Sequence, residues 1–295
     1  MTAATLDRVR VGRQELRVAV RPGQPGRMPL LLVNGIGASL ELLQPFVDAL
    51  DPGQGVIRFD VPGSGGSPMP PGPYSFTGLC RLIAGMLSEL GYDQVDVLGF
   101  SWGGSVAQHF AAFQRARCRR LVLVSTATGA LMVPARPSVL LQMVTRRRYL
   151  DPDYLVRVAP DLYGGSARSE PQRVSETIHR GNRTGPPLGY AYQLMAALGW
   201  TSLPFLPLLR QPTLIISGDD DPLIPLANAR LMHQLIPRSR LLVFRGGHLG
   251  LIAEAGELAP VITDFLAAAP PGQVPALAFL QFSRPDPAVA AAAAR

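Results

Sequence analysis

Short apolar runs alternate with amphipathic stretches along most of this chain. Residues 16–20 (Leu-Arg-Val-Ala-Val) alternate with a period of two, as a half-exposed strand should, and pair with residues 9–11 across Gly12-Arg13. Residues 29–33 (Pro-Leu-Leu-Leu-Val) are a continuous apolar run bounded by turn residues, the pattern of a strand buried on both faces. Segments 56–59, 95–98, 121–124, 213–216 and 241–244 repeat it, and helical patterns lie between them at 40–50, 76–91, 101–116, 226–236 and 258–268. Strand and helix in such regular alternation imply parallel crossovers, with helices on both faces of a mostly parallel sheet.

One stretch breaks the rhythm. Residues 127–203 hold helical pieces at 139–145 and 189–198 but no buried strand, and strand character resumes only at Thr213. The reading is a core of 1–127 and 205–269, interrupted by a helical lid at 128–204 and followed by a proline- and alanine-rich tail at 270–295. Apolar side chains of the insertion, such as Leu131, Leu141, Tyr190, Met195 and Trp200, are expected to pack it onto the core and to leave a few for a ligand.

Composition narrows the chemistry. All 28 basic residues are arginine, so a phosphate-binding loop of the Walker type, a pyridoxal-phosphate site and a Schiff-base aldolase, each of which needs lysine, are excluded. Two cysteines, Cys80 and Cys118, are too few for thiolate zinc cages or iron–sulfur clusters; both read as small apolar residues in helices. The formal charge of +7 is spread over all segments, which argues against a nucleic-acid partner. No apolar leader opens the chain and no run approaches the roughly 18 residues of a membrane span, so a cytoplasmic location is expected. Arg146-Arg147-Arg148 reads as a solvated face or, alternatively, a contact for an anionic product.

The chemistry gathers at strand ends. Gly99-Phe100-Ser101-Trp102-Gly103 follows strand 95–98 and opens helix 101–116, the context of a nucleophile elbow. A glycine-rich strand–helix turn with Ser101 as a cap is the alternative. A serine nucleophile needs a base, and of four histidines only His248, after Gly246-Gly247, stands at the carboxyl end of a predicted strand. His109 reads as a packing residue, whereas His179 and His233 fall in the insertion and in an amphipathic helix. Gly218-Asp219-Asp220-Asp221-Pro222 follows strand 213–216 and supplies a carboxylate to orient the imidazole. Spacing selects Asp221, leaving Asp219 and Asp220 as turn or capping residues. Ser, Asp, His is the chain order of α/β-hydrolases. The oxyanion donors expected are the backbone amides of Trp102 and of Ile36, the latter in Asn34-Gly35-Ile36-Gly37. Such a triad needs no metal or organic cofactor. The glycine-rich residues 61–67 read as a turn near the site.

Several motifs together resemble one family. Ala19-Val-Arg-Pro-Gly23, Asn34-Gly-Ile-Gly37, Phe59-Asp-Val-Pro-Gly63, Ser101-Trp-Gly-Gly104, Gly199-Trp-Thr-Ser202 and Gly218-Asp-Asp-Asp-Pro-Leu-Ile-Pro225 look like the intracellular poly(3-hydroxyalkanoate) depolymerases of bacteria, those of the medium-chain-length type above all. The resemblance runs from about residue 18 to 266 and includes the insertion, while the tail matches no family feature. It implies an α/β-hydrolase fold and a serine esterase that degrades stored polyester at the granule surface, with granule-associated proteins as further partners. It also implies Ser101, Asp221 and His248 as the triad. The competing readings are a small-molecule carboxylesterase or lactonase, a carbon–carbon bond hydrolase of the same fold, and a non-catalytic relative that only binds ligand.

Overall fold

The computed structural model describes residues 5–268; the tail 270–295 lies outside the described residues. Eight strands run in chain order as β1 (Thr5–Val11), β2 (Gln14–Arg21), β3 (Leu30–Val33), β4 (Val56–Phe59), β5 (Val95–Phe100), β6 (Cys118–Val124), β7 (Thr213–Gly218) and β8 (Ser239–Phe244). They form one sheet in the order β1-β2-β4-β3-β5-β6-β7-β8. The β1–β2 and β2–β4 pairings are antiparallel and all the others are parallel. The core helices are α1 (Gln44–Ala49), α2 (Phe76–Glu89) and α3 (Trp102–Phe113). After β6 come five inserted helices, α4 (Pro137–Val144), α5 (Pro152–Tyr163), α6 (Ser166–Ser169), α7 (Pro171–Gly181) and α8 (Pro187–Ala197). The core then resumes with α9 (Leu226–Leu235), α10 (Gly250–Ala253) and α11 (Ala255–Ala267).

The two-faced burial of the central strands explains their unbroken apolar runs. Side chains alternate across a strand, and here both alternating sets are buried. Leu30 and Leu32 pack with Phe46, Val47, Leu258 and Ile262 on one face. Leu31 and Val33 pack with Ile83, Met86, Val106 and Phe110 on the other. Parallel strands end on the same side, so the loops after β3, β5, β7 and β8 share one edge of the sheet. Ile36, Ser101, Asp221 and His248, proposed from sequence for chemistry, are on these loops, and Trp102 opens the helix after β5.

Three expectations change. Cys118 opens β6 rather than sitting in a helix, though both cysteines are buried and free. The segment 40–50 is a short 3₁₀ turn, Leu40–Leu43, followed by α1. The insertion is also richer in helix than the two pieces read from sequence, because α5, α6 and α7 lie between them. Among the described residues no helix is long and apolar enough to cross a membrane.

His109 shows how the insertion is joined to the core. It lies on α3, where its Nδ1 accepts from Trp200 Nε1 at 3.2 Å and its Nε2 meets Thr77 Oγ1 at 3.1 Å. Phe113 and Phe205 flank its ring. Burial lowers its pKa from the usual 6.5, so the folded state favours the neutral ring. Its contribution to stability is therefore present above pH 6.5 and is lost as pH falls through the lower folded value. Substituting His109→Gln, which retains an acceptor and a donor but cannot take up a proton, should flatten the fall in melting temperature between neutral and mildly acidic pH by a few degrees. Thermal melts across that range check it, and equal pH slopes for both proteins would contradict it.

Candidate active site

The elbow after β5 is built by crowding. A side chain at Gly99 would overlap the backbone of Gly103 and Gly104, and one at Gly103 would overlap the carbonyl oxygens of Val33 and Asn34. Only glycine lets α3 press so closely on β5 and on the loop after β3. The turn between them forces Ser101 to φ 54° and ψ −122°, a conformation that costs a non-glycine residue about 1–3 kcal/mol. Ser101 stands at the cap position of α3, yet its side chain makes no cap hydrogen bond. Its Oγ lies instead 2.9 Å from His248 Nε2, so the geometry favours the elbow reading over the capping one.

His248 is 3% exposed, and its Nδ1 is 2.9 Å from Asp221 Oδ2. A carboxylate there accepts a hydrogen bond from Nδ1–H, which leaves the Nε2 lone pair facing the serine hydroxyl. The other oxygen of Asp221 accepts from the amides of Leu223 at 3.0 Å and Ile224 at 2.8 Å, so the carboxylate cannot swing away. The imidazole itself stacks on Tyr163 of the insertion, with ring centroids 6.2 Å apart and 12° between the planes. The His248 backbone N–H donates to the Tyr163 carbonyl at 2.7 Å.

The neighbouring aspartates have separate tasks. Asp219 accepts from the Gly246 amide at 3.0 Å and so ties the loop after β7 to the loop carrying His248. Asp220 accepts from the Gly165 amide at 2.8 Å and forms a two-pronged pair with Arg168, at 2.6 and 2.8 Å. That pair holds the Asp220 pKa below its ordinary value. It fastens the insertion to the core, a task the sequence reading of a turn or capping residue did not contain.

The loop after β3 can be accounted for amide by amide. Gly35 N–H donates to Asn34 Oδ1, Gly37 to Gln193 Oε1, Ala38 to the Gly35 carbonyl, Ser39 to Asn182 Oδ1 and Leu40 to Asp60 Oδ1. Among the described residues the Ile36 N–H has no acceptor. The Trp102 amide is likewise a first-turn amide of α3, which a helix leaves without an internal partner. A Cβ placed on Gly35 would lie 3.6 Å from Ser101 Cβ, so this loop borders the serine directly. Two unpaired amides flanking a serine can receive a developing oxyanion. Asp60, buried and bonded to Leu40, Gly66 and Arg17, braces the far end of the loop, and its burial raises its pKa. The turn at 61–67 lies against both, with Ser64 Oγ donating to the Ala38 carbonyl at 3.1 Å.

The arginine triplet departs most from the sequence reading. Arg147 is exposed and pairs with Asp151, but Arg148 is 1% exposed. It donates to Tyr190 Oη at 3.1 Å and to the Thr145 carbonyl at 3.0 Å, and its guanidinium covers the Tyr149 ring. A run of like charge reads as solvent-facing, and here its neighbour Tyr149 and the distant Tyr190 bury one member of it. Leu131, Leu141 and Met195 differ in the opposite sense, since they are 63, 71 and 53% exposed on the outside of the insertion. Gln193, Tyr149, Asn182 and Tyr163, which hold the loops around the serine, carried no local signal in sequence.

A family model described as alpha/beta hydrolase fold matches residues 28–255. A poly(3-hydroxyalkanoate) depolymerase of Ectopseudomonas oleovorans is 51% identical over 258 residues, covering 88% of this chain and 91% of that protein. A 3-oxoadipate enol-lactonase of Acinetobacter baylyi is 25% identical over 79% of this chain and 86% of its own length. Among solved structures, the enol-lactonase of Burkholderia xenovorans LB400 superimposes with a TM-score of 0.75 at 26% identity, over 89% of this chain and all of that one.

The three aspartates offer a direct test of the geometry. Asp221→Asn should lower ester turnover on the order of a thousandfold or more, because the imidazole loses the acceptor that sets its tautomer. Asp220→Asn should leave turnover within about threefold, since its pair with Arg168 is half exposed, and exposed pairs are worth about 0–1 kcal/mol. Steady-state kinetics on a soluble ester decide the ranking, and the reverse order would move the orienting role to Asp220.

Proposed function

As a member of the α/β-hydrolase family that groups with its poly(3-hydroxyalkanoate) depolymerases, the chain is an ester hydrolase, and we propose that it uses Ser101 to hydrolyse this polyester. The observation that carries the reading is the 51% identity to such an enzyme over nearly the whole of both chains. The 2.9 Å contacts from Ser101 to His248 and from His248 to Asp221 supply the chemistry.

In this mechanism His248 Nε2 takes the Ser101 proton as Oγ attacks an ester carbonyl of the polymer. The Ile36 and Trp102 amides receive the oxyanion, and Asp221 stabilises the imidazolium. His248 then gives that proton to the leaving ester oxygen, which departs as a hydroxyl and frees one part of the chain. Water, activated by the same imidazole, releases the acyl group as a 3-hydroxy acid or short oligomer. The inserted helices at 128–204 act as the lid over this centre.

The substrate class follows from surface as well as site. A polyester with long alkyl side groups is apolar and insoluble, so its hydrolase must meet a water-excluding surface. The outside of the lid is suited to that: Leu131, Leu141, Val144, Leu188, Met195 and Leu198 are all more than half exposed. Hydrogen bonds join the segments that carry them. Tyr190 of α8 donates to the Met143 carbonyl of α4, and the Ala130 amide donates to the Trp200 carbonyl. We assign the preferred polymer to the medium-chain-length type and the place of action to the cytoplasmic storage granule.

Two measurements test this. Release of soluble hydroxy acid should be faster from amorphous medium-chain-length granules than from poly(3-hydroxybutyrate) at equal surface area. Turnover of p-nitrophenyl esters with no release from either polymer would instead favour a small-molecule esterase. The paired change Leu141→Ser and Leu198→Ser should reduce granule adsorption and polymer turnover several-fold while leaving kcat/KM on a soluble ester unchanged. Equal losses on both substrates would remove the lid exterior from polymer contact.

A further inference from the structure

The peptide unit between Ile36 and Gly37 is held at both ends from the insertion. Its carbonyl oxygen accepts from Tyr149 Oη at 2.8 Å, and its N–H donates to Gln193 Oε1, also at 2.8 Å. Gln193 is 1% exposed, and its own backbone carbonyl accepts from Trp102 Nε1 at 3.0 Å. One residue of α8 thus bonds both to Trp102 and to the peptide unit that follows Ile36. A few residues on, the same loop is bonded to the insertion again, through Asn182 Oδ1 to Ser39 N at 2.7 Å and Arg183 N to Ser39 Oγ at 2.9 Å.

A peptide plane bonded at both its C=O and its N–H cannot rotate. Holding the Ile36–Gly37 plane restrains ψ of Ile36 and the left-handed φ of 72° at Gly37, and so narrows the directions in which the preceding N–H, that of Ile36, can point. The rings of Tyr149 and Tyr190 also lie so close that no side chain would fit at Gly37, which keeps this position to glycine. Catalysis by an oxyanion hole depends on donors that are already in place when charge develops, so small rotations of the donor matter.

We propose that Gln193 and Tyr149 are positioning residues for the oxyanion hole, so that the inserted helices complete the catalytic centre as well as cover it. This rests on the reading of Ile36 and Trp102 as oxyanion donors to a Ser101-centred reaction. Neither side chain is asked to touch substrate. Each acts through the peptide that it holds, and Gln193 acts on the Trp102 side as well, through its main chain. One consequence is that this cap cannot swing open as a rigid body without loosening the Ile36 amide. Loss of either grip should therefore lower the rate of the chemical step more than it weakens substrate binding.

The test compares Gln193→Leu, Gln193→Glu and Tyr149→Phe in the full-length protein, with p-nitrophenyl octanoate as substrate and melting temperature as the fold check. Gln193→Leu should lower kcat about tenfold to a hundredfold, with KM within about twofold. Gln193→Glu, which restores an oxygen acceptor for the Gly37 N–H, should recover most of the loss. The Ki of an octyl trifluoromethyl ketone, whose serine adduct places an oxyanion between the two amides, should rise in proportion to the fall in kcat/KM. Tyr149→Phe should show the same signature more weakly. The two losses should be less than additive in the double variant, because both act on one peptide. A folded Gln193→Leu protein with kcat within threefold of the parent, or with a change confined to KM, overturns the proposal. If that variant does not fold, Tyr149→Phe decides by the same criteria. Ser101→Ala separates the two levels: a folded variant that keeps most of the parent's turnover defeats the serine-esterase reading, whereas a loss of several orders of magnitude there beside an unaffected Gln193→Leu defeats only this inference.

Discussion

The contact on which the rest depends is that of Gly103 with the carbonyl oxygens of Val33 and Asn34. It brings the start of α3, the end of β5 and the loop after β3 closer together than any side chain would permit. That closeness places the Ser101 backbone in a strained turn and sets the Ile36 loop against it. The strain persists because it is over-determined. The Ser101 amide is bonded to the Val124 carbonyl of β6, and the Gly104 amide closes back onto the Ser101 carbonyl. The sheet therefore acts as a rigid frame, and reactive groups are hung on the edge where its parallel strands end.

The frame alone does not finish the centre. His248 is held by Asp221 from the core, but its ring rests on Tyr163 and its amide is bonded to the Tyr163 carbonyl, both from the insertion. The Ile36–Gly37 peptide is held by Tyr149 and Gln193, and Trp102 by Gln193 again. Inserted helices with apolar exteriors thus reach inward at three separate loops. Buried polar groups need partners, and these bonds satisfy loop amides, a loop carbonyl and the Trp102 indole N–H, which a bare sheet edge would leave to water. These contacts tie the inserted helices to the loops at the sheet edge.

Much of the fold was legible because its signals are local. The runs at 30–33, 56–59 and 213–218 are mostly apolar and buried on both faces, as strands are when helices cover both sides of the sheet. The Ser101, Asp221 and His248 loops were legible for a related reason: glycine, proline and aspartate mark tight turns where backbone conformation restricts residue choice. Arg148 was not legible, since three consecutive arginines look solvated until Tyr149 and Tyr190 cover one of them. Cys118 was misplaced because a cysteine within an arginine-rich turn has no strong preference, and its strand is set by pairing with Val95.

What the amino-acid sequence determined by itself was the alternation of buried strands and helices, the order Ser, Asp, His, and the glycines without which the turn at Ser101 could not close. Each of these is a restriction acting within a few residues. Tertiary structure decided the division of labour among Asp219, Asp220 and Asp221, the outward face of Leu141 and Met195, and the hold of Gln193 on Gly37. Those outcomes depend on partners up to 156 residues apart along the chain. A hydrogen bond across such a distance is specified by how the helices pack, and no local preference of glutamine or aspartate encodes it.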